Sequence, residues 1–297
     1  MSVINRRSFL ASSAALAGAA GIAQAAQSAD NEKVASSLGN TPHTKFAVNI
    51  EMWWSKLPFL ARIERAAALG FPAVEFWPWQ GKDLTAIAEL TQRLGVAVAQ
   101  FTAWGFKPGM NDPANHAEFV DAVGQGCQAA KQLNCKLMTV VGGDDQPGMT
   151  QAEMHAHIIT ALEKAAPVAA EHDVTLILEP MNIRVDHKGH CLYGSVDAVR
   201  ICREVGSPHV KINWDLYHMQ ISEGDLCGRL RDGFDQVGYL QLADHPGRHE
   251  PGTGEIHYNR VLREAHDLGY RGYVGLECRP QTTELEAARG VARADVW

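Results

Sequence analysis

The chain has 297 residues, 46% of them hydrophobic and 21% charged, and a formal net charge of −7. Such a composition is that of a globular protein, with room for one large domain or two small ones. An acidic balance without any basic run sets nucleic acid and anionic membrane surfaces outside the expected partners.

The N-terminus carries Asn5-Arg6-Arg7-Ser8-Phe9-Leu10, which resembles a twin-arginine export motif. An Ala-rich, mildly apolar stretch follows, closed by Ala23-Gln24-Ala25, a small-x-small cleavage pattern. Residues 1–25 are therefore expected to be a twin-arginine signal peptide and the mature protein periplasmic. Nothing later has the length and apolarity for stable membrane insertion. Residues 26–44 are small and polar and read as a flexible linker. The six cysteines form no CxxC pair. Export in the folded state from a reducing compartment favours free, mostly buried thiols.

From residue 45 to residue 280 one unit recurs about every 30 residues: a short apolar run, a polar loop, then a helical pattern. The apolar runs are 46–50, 73–76, 96–101, 137–141, 174–178, 210–214, 237–242 and 273–276. The intervening helical patterns stop at glycine in Leu69-Gly70, Leu94-Gly95 and Leu268-Gly269, and Thr150 and Ser195 are placed to cap two of them. Residues 281–297 form a C-terminal tail, expected to be helical. Eight strands alternating with helices predict a single (β/α)8 TIM barrel in the α/β class. The competing open sheet would show a Gly-rich first turn, and no GxGxxG is present.

In such a barrel, sites form at the C-terminal ends of strands. The run Val174–Leu178 ends on Glu179, and Val274 and Leu276 alternate with Glu277. Asp215 and Gln241 end the two strands between them. Three carboxylates and an amide oxygen converging on one mouth repel unless a cation lies among them, so Glu179, Asp215, Gln241 and Glu277 are expected to hold a divalent metal, Mg²⁺ or Mn²⁺. Arg184, Lys211 and Arg248 are near enough in sequence to pair with them instead. Trp53, Trp54, Trp77 and Trp104 fall near strand ends as candidate pocket walls, and Glu75 is a further strand-end carboxylate. His187 and His190 read as part of a polar loop.

The segments Leu178-Glu179-Pro180-Met181-Asn182, Asn213-Trp214-Asp215-Leu216-Tyr217-His218, Gln241-Leu242-Ala243-Asp244 and Gly247-Arg248-His249-Glu250-Pro251-Gly252-Thr253-Gly254-Glu255 resemble the hydroxypyruvate isomerases of the xylose isomerase-like barrels. The resemblance implies that Glu179 and Glu277 are the catalytic acid/base pair, that Glu179, Asp215, Gln241 and Glu277 hold the metal, and that His218 and Arg248 contact substrate oxygens. Glu75 and Trp104 are added as substrate-binding candidates. The implied activity is metal-dependent isomerisation of a small hydroxy-keto acid or keto-sugar through an enediolate. The alternatives are a periplasmic ketose 3-epimerase, a keto-glycoside isomerase or lyase, a non-catalytic sugar-binding barrel and a metal nuclease on the same barrel. A homo-oligomer is compatible with all of them. After Asn182 the chain runs Ile183-Arg184-Val185-Asp186-His187-Lys188-Gly189, where the isomerases tend to continue Arg-Asp and then Pro-Gly. That loop is expected to touch the distal part of the substrate.

Overall fold

A computed structural model describes residues 36–297. The expected signal peptide, and the linker up to residue 35, lie outside the described residues. Eight parallel strands close a barrel in sequence order, with β1 (Lys45–Asn49) hydrogen-bonded to both β2 (Ala73–Phe76) and β8 (Tyr273–Leu276). The others are β3 (Ala97–Trp104), β4 (Leu137–Val141), β5 (Thr175–Glu179), β6 (Val210–Asp215) and β7 (Val237–Leu242).

Nine α-helices occur among the described residues: α1 (Phe59–Ala68), α2 (Leu84–Leu94), α3 (His116–Leu133), α4 (Gln151–Glu171), α5 (Ser195–Val205), α6 (Leu216–Ser222), α7 (Leu226–Gly233), α8 (Tyr258–Asp267) and α9 (Glu284–Arg293). Thr150 caps α4 with a reciprocal pair: its hydroxyl accepts from the Glu153 amide, and the Glu153 carboxylate accepts from the Thr150 amide at 2.7 Å. Ser195 does not cap α5. Gly194 takes the cap position, and the Ser195 amide donates to the Glu223 carboxylate at 3.0 Å. No helix among the described residues is long and apolar enough to cross a membrane.

The strand period of two sorts the side chains. Leu176, Leu178, Val210, Ile212, Leu240 and Val274 face outward into the apolar layer shared with the helices. Ala47, Ala73, Ala99, Ile177 and Tyr239 fill the lower barrel interior. Above them lies a polar layer centred on Glu75, whose carboxylate accepts hydrogen bonds from Asn49 (3.1 Å), Gln100 (3.3 Å), Tyr239 (2.7 Å) and Gln241 (2.8 Å). Gly275 on β8 makes room for it, since a Cβ there would stand 2.3 Å from Glu75 Oε2.

Residues 36–44, expected as part of a tether, are tied to the barrel. The His43 and Thr44 amides donate to Asp295 Oδ2 at 2.8 and 3.0 Å, and the His43 ring stacks on Trp297 at 4.4 Å. All six cysteines are free, five of them buried and Cys227 half-buried.

Candidate active site

Strand parity turns Glu179, Asp215 and Glu277 toward the barrel axis at the C-terminal mouth. Glu179 ends β5, Asp215 ends β6 and Glu277 follows β8 directly; all three are buried. One ligand atom from each, with one from His218, lies within 4.8 Å of the others.

Each carboxylate has a different neighbourhood. Asp215 Oδ1 accepts from the Tyr217 amide at 2.9 Å, which starts α6. Its Oδ2 is fully buried without a hydrogen bond; His218 Nε2 stands 3.5 Å away and Arg248 Nη2 3.7 Å away. Glu277 accepts from Trp77 Nε1 at 2.7 Å and from Arg248 Nη2 at 2.6 Å. The Glu179 carboxylate has no hydrogen bond among the described residues, and His218 Nε2 lies 3.9 Å from it.

Burial, then the charge of Glu277, raises both: Asp215 is pushed up to about 8 and Glu179 well above the usual carboxylate range. Arg248 is the one nearby cation among the described residues lining the cavity, and it is held by its loop. Asp244 ties that loop together by accepting from the Gly252 and Ile256 amides at 2.8 and 3.1 Å. Arg248 itself has φ 57, and its guanidinium lies 4.9 Å above the Tyr217 ring. Lys211 is spent elsewhere, donating to the Asp235 carbonyl at 2.9 Å, and Arg184 is exposed.

His218 is neutral and its tautomer is fixed. Asn182 Oδ1 accepts from the Val185 and Asp186 amides at 3.0 and 3.2 Å, so its Nδ2 is the end that meets His218 Nδ1 at 2.7 Å. His218 Nδ1 therefore accepts, and Nε2 carries the proton toward the carboxylates. Burial and Arg248 hold its pKa well below the usual imidazole value. A protonated Nε2 donates a hydrogen bond and is no metal ligand.

Three expected site residues fall elsewhere. Glu75 lies one layer down and does not line the mouth. Gln241 pairs in register with Asp215 and with Gly275, but its amide turns into the interior: Nε2 to Glu75, and Oε1 accepting from Asn213 at 2.6 Å. Trp104 packs outward, edge-on to Phe119 of α3 at 5.4 Å. Alternation from the inward Ala99 already puts it on that face, and the two register slips of β3, between the rows of Val74 and Phe76 and again between Thr102 and Trp104, cancel in their effect on it. They leave Thr102 as the last inward residue. Trp53 is core, packed on Phe71 and Trp54, so Trp77 alone of the four tryptophans lines the site.

Glu179 and Glu277 open on a cavity of about 320 Å³ bounded by Trp77, Thr102, Phe106, Met181, His187 and Arg248, among others. Phe106, Thr102 and His187 were not singled out from sequence as wall residues. Phe106 lies just beyond a strand end, a signal that was present.

The donor set fits a hard divalent cation. An orphaned, buried carboxylate oxygen on Asp215, with ligand atoms of two further carboxylates grouped within 4.8 Å, is an arrangement that oxygen-seeking cations stabilise. Glu179, Asp215 and Glu277 would hold it, and Gln241 would have to share its oxygen with Asn213.

The family described as xylose isomerase-like TIM barrel matches residues 63–294. Over 245 residues the chain is 35% identical to a hydroxypyruvate isomerase of Escherichia coli strain K12, covering 80% of this chain and 95% of that one. It is also 35% identical over 247 residues to a 2-oxo-tetronate isomerase of Cupriavidus necator, covering 80% and 93%. Among solved structures, a Brucella melitensis protein described as an AP endonuclease of family 2 superposes with a TM-score of 0.78 at 28% identity, covering 84% of this chain and 97% of that one.

Proposed function

The chain belongs to the xylose isomerase-like TIM barrel family, and from that premise we propose that it isomerises a small hydroxy-keto acid by moving a carbon-bound proton between two adjacent carbons. That it is an isomerase follows from relatives matched over most of both chains. One observation carries the mechanism: two buried glutamates, Glu179 and Glu277, line one cavity, and the buried Asp215, which has one carboxylate oxygen unsatisfied, offers a ligand atom within 4.8 Å of theirs.

The residues divide the work. Glu277, held by Trp77 and Arg248 and acting on its neighbours as a charge, takes the proton from the carbinol carbon. Glu179, free of protein hydrogen bonds and with a raised proton affinity, supplies a proton to the neighbouring carbon. One C–H bond breaks and one forms, and the hydroxyl hydrogen passes to the adjoining carbonyl oxygen. His218 presents Nε2–H, and Arg248 its guanidinium, to the substrate oxygens on which negative charge grows. Trp77, Phe106, Met181 and Val141 keep water from the enediolate. A divalent cation held by the three carboxylates would stabilise that negative charge.

The test is proton exchange. In D₂O with Mg²⁺ or Mn²⁺, the protein should convert hydroxypyruvate or a 2-oxo-tetronate and place solvent deuterium on carbon, and chelation should stop both. Glu277→Gln should abolish exchange, and full exchange in that variant would remove Glu277 from the mechanism. We also propose that residues 1–25 direct export to the periplasm, on the support of the Arg6-Arg7 motif.

A further inference from the structure

The cavity has a second polar position beyond the carboxylates. His187 sits in the loop after β5, where the chain departs from the isomerases it resembles. Its ring stacks on Phe106 at 4.9 Å with an interplanar angle of 18° and meets the His218 ring at 5.2 Å. The two imidazoles thus follow one another along the wall, His218 beside the carboxylates and His187 one ring farther out. Neither ring nitrogen of His187 makes a hydrogen bond among the described residues, although the ring lines the cavity. Burial and the Arg248 charge lower its pKa, so the ring is neutral, with one nitrogen donating and the other accepting. That pairing suits a hydroxyl, which also donates and accepts. The volume agrees: about 320 Å³ holds roughly ten waters at ~30 Å³ each, whereas a three-carbon keto acid has only about seven non-hydrogen atoms.

We propose that His187 reads a hydroxyl on the carbon beyond the reacting pair, so that the site prefers a four-carbon hydroxy-keto acid of the 2-oxo-tetronate type to three-carbon hydroxypyruvate. This rests on the keto-acid isomerase reading above. The residue is a specificity element, held flat by Phe106 and placed past the proton-transfer groups.

The experiment compares kcat/KM on hydroxypyruvate and on a 2-oxo-tetronate for the wild type, His187→Phe and His187→Asn. Phenylalanine keeps the ring and its stack on Phe106 but removes both nitrogens; asparagine keeps a donor and an acceptor. Wild type should favour the four-carbon substrate. His187→Phe should lower the four-carbon to three-carbon ratio about tenfold, the worth of one neutral hydrogen bond in a desolvated site. His187→Asn should recover part of the ratio, and it carries the test alone if the Phe variant does not fold. A ratio unchanged in either variant, or a wild type that favours hydroxypyruvate, overturns the assignment of His187. Turnover of neither substrate by the wild type would sink the keto-acid reading itself.

Discussion

Glu75 should make the protein less stable as pH rises, and Glu75→Gln should remove that dependence. The carboxyl is fully buried, and burial with the nearby Glu277 charge pushes it from 4.5 up to about 7. The folded state therefore binds a proton more tightly than the unfolded chain. Between pH 4.5 and 7 the unfolded state holds fewer protons, so unfolding becomes easier as pH increases. A shift from 4.5 to about 7 corresponds to about 3 kcal/mol, with full stability below pH 4.5 and the loss complete above pH 7. Glutamine at this position cannot ionise, so it escapes the penalty. Its amide faces donors, however. Tyr239 can turn its hydroxyl to accept, but the Gln100 amide nitrogen loses its acceptor, a cost of about 1–3 kcal/mol at every pH. The stability of the variant relative to wild type should accordingly improve by about 3 kcal/mol from pH 5 to pH 8. Urea unfolding with a chelator present, at half-unit steps, reads this difference directly, and the other titrating carboxylates largely cancel between the two proteins. A difference that stays flat across that range would mean that Glu75 is ionised at little cost, and the account of the interior layer would be wrong.

Asn182→Asp keeps the oxygen that accepts from the Val185 and Asp186 amides but replaces the donor facing His218 with an acceptor. His218 should then carry its proton on Nδ1 or become an imidazolium; kcat should fall at least tenfold for want of the right tautomer, and ¹⁵N-edited NMR should show the Nδ1 resonance shifting, whereas an unchanged spectrum would remove Asn182 from the argument. For export, a reporter fused after residue 44 should reach the periplasm with Arg6-Arg7 intact and stay cytoplasmic when both are changed to Lys; equal export in the two forms counts against the signal.

The sequence displayed the barrel because every unit repeats one requirement: a strand buried on both faces, then a helix to cover it. It displayed Glu179, Asp215 and Glu277 because parity alone carries an inward residue at a strand end to the mouth. Depth is another matter. Glu75 also ends an inward series, Ala73-Val74-Glu75, and by parity alone it too should reach the substrate. Strands in a closed barrel are tilted, so equal positions along neighbouring strands lie at different heights. That tilt brings Glu75 level with Gly275, one inward step below Glu277, and Gln241 with it. No count along a single strand contains the tilt, which belongs to the closure of all eight.

Trp104 is a matter of face rather than depth. Strict alternation from the inward Ala99 already turns it outward, so standing near a strand end does not place it at the mouth; β3 also holds two irregularities that nothing in Ala97-Val98-Ala99-Gln100-Phe101-Thr102-Ala103-Trp104 announces. They matter to function. The first lets Gln100 enter the polar layer and bond Glu75 at 3.3 Å, and the second cancels its effect on Trp104 and leaves the smaller Thr102 at the mouth. Phe106 can then close the outer wall and support His187. The proton-transfer groups thus sit where strand geometry alone puts them, while the wall that meets the rest of the substrate depends on a bulge and two loops. The reacting end of the substrate can stay constant in such a barrel while its distal end is changed by loop residues such as His187.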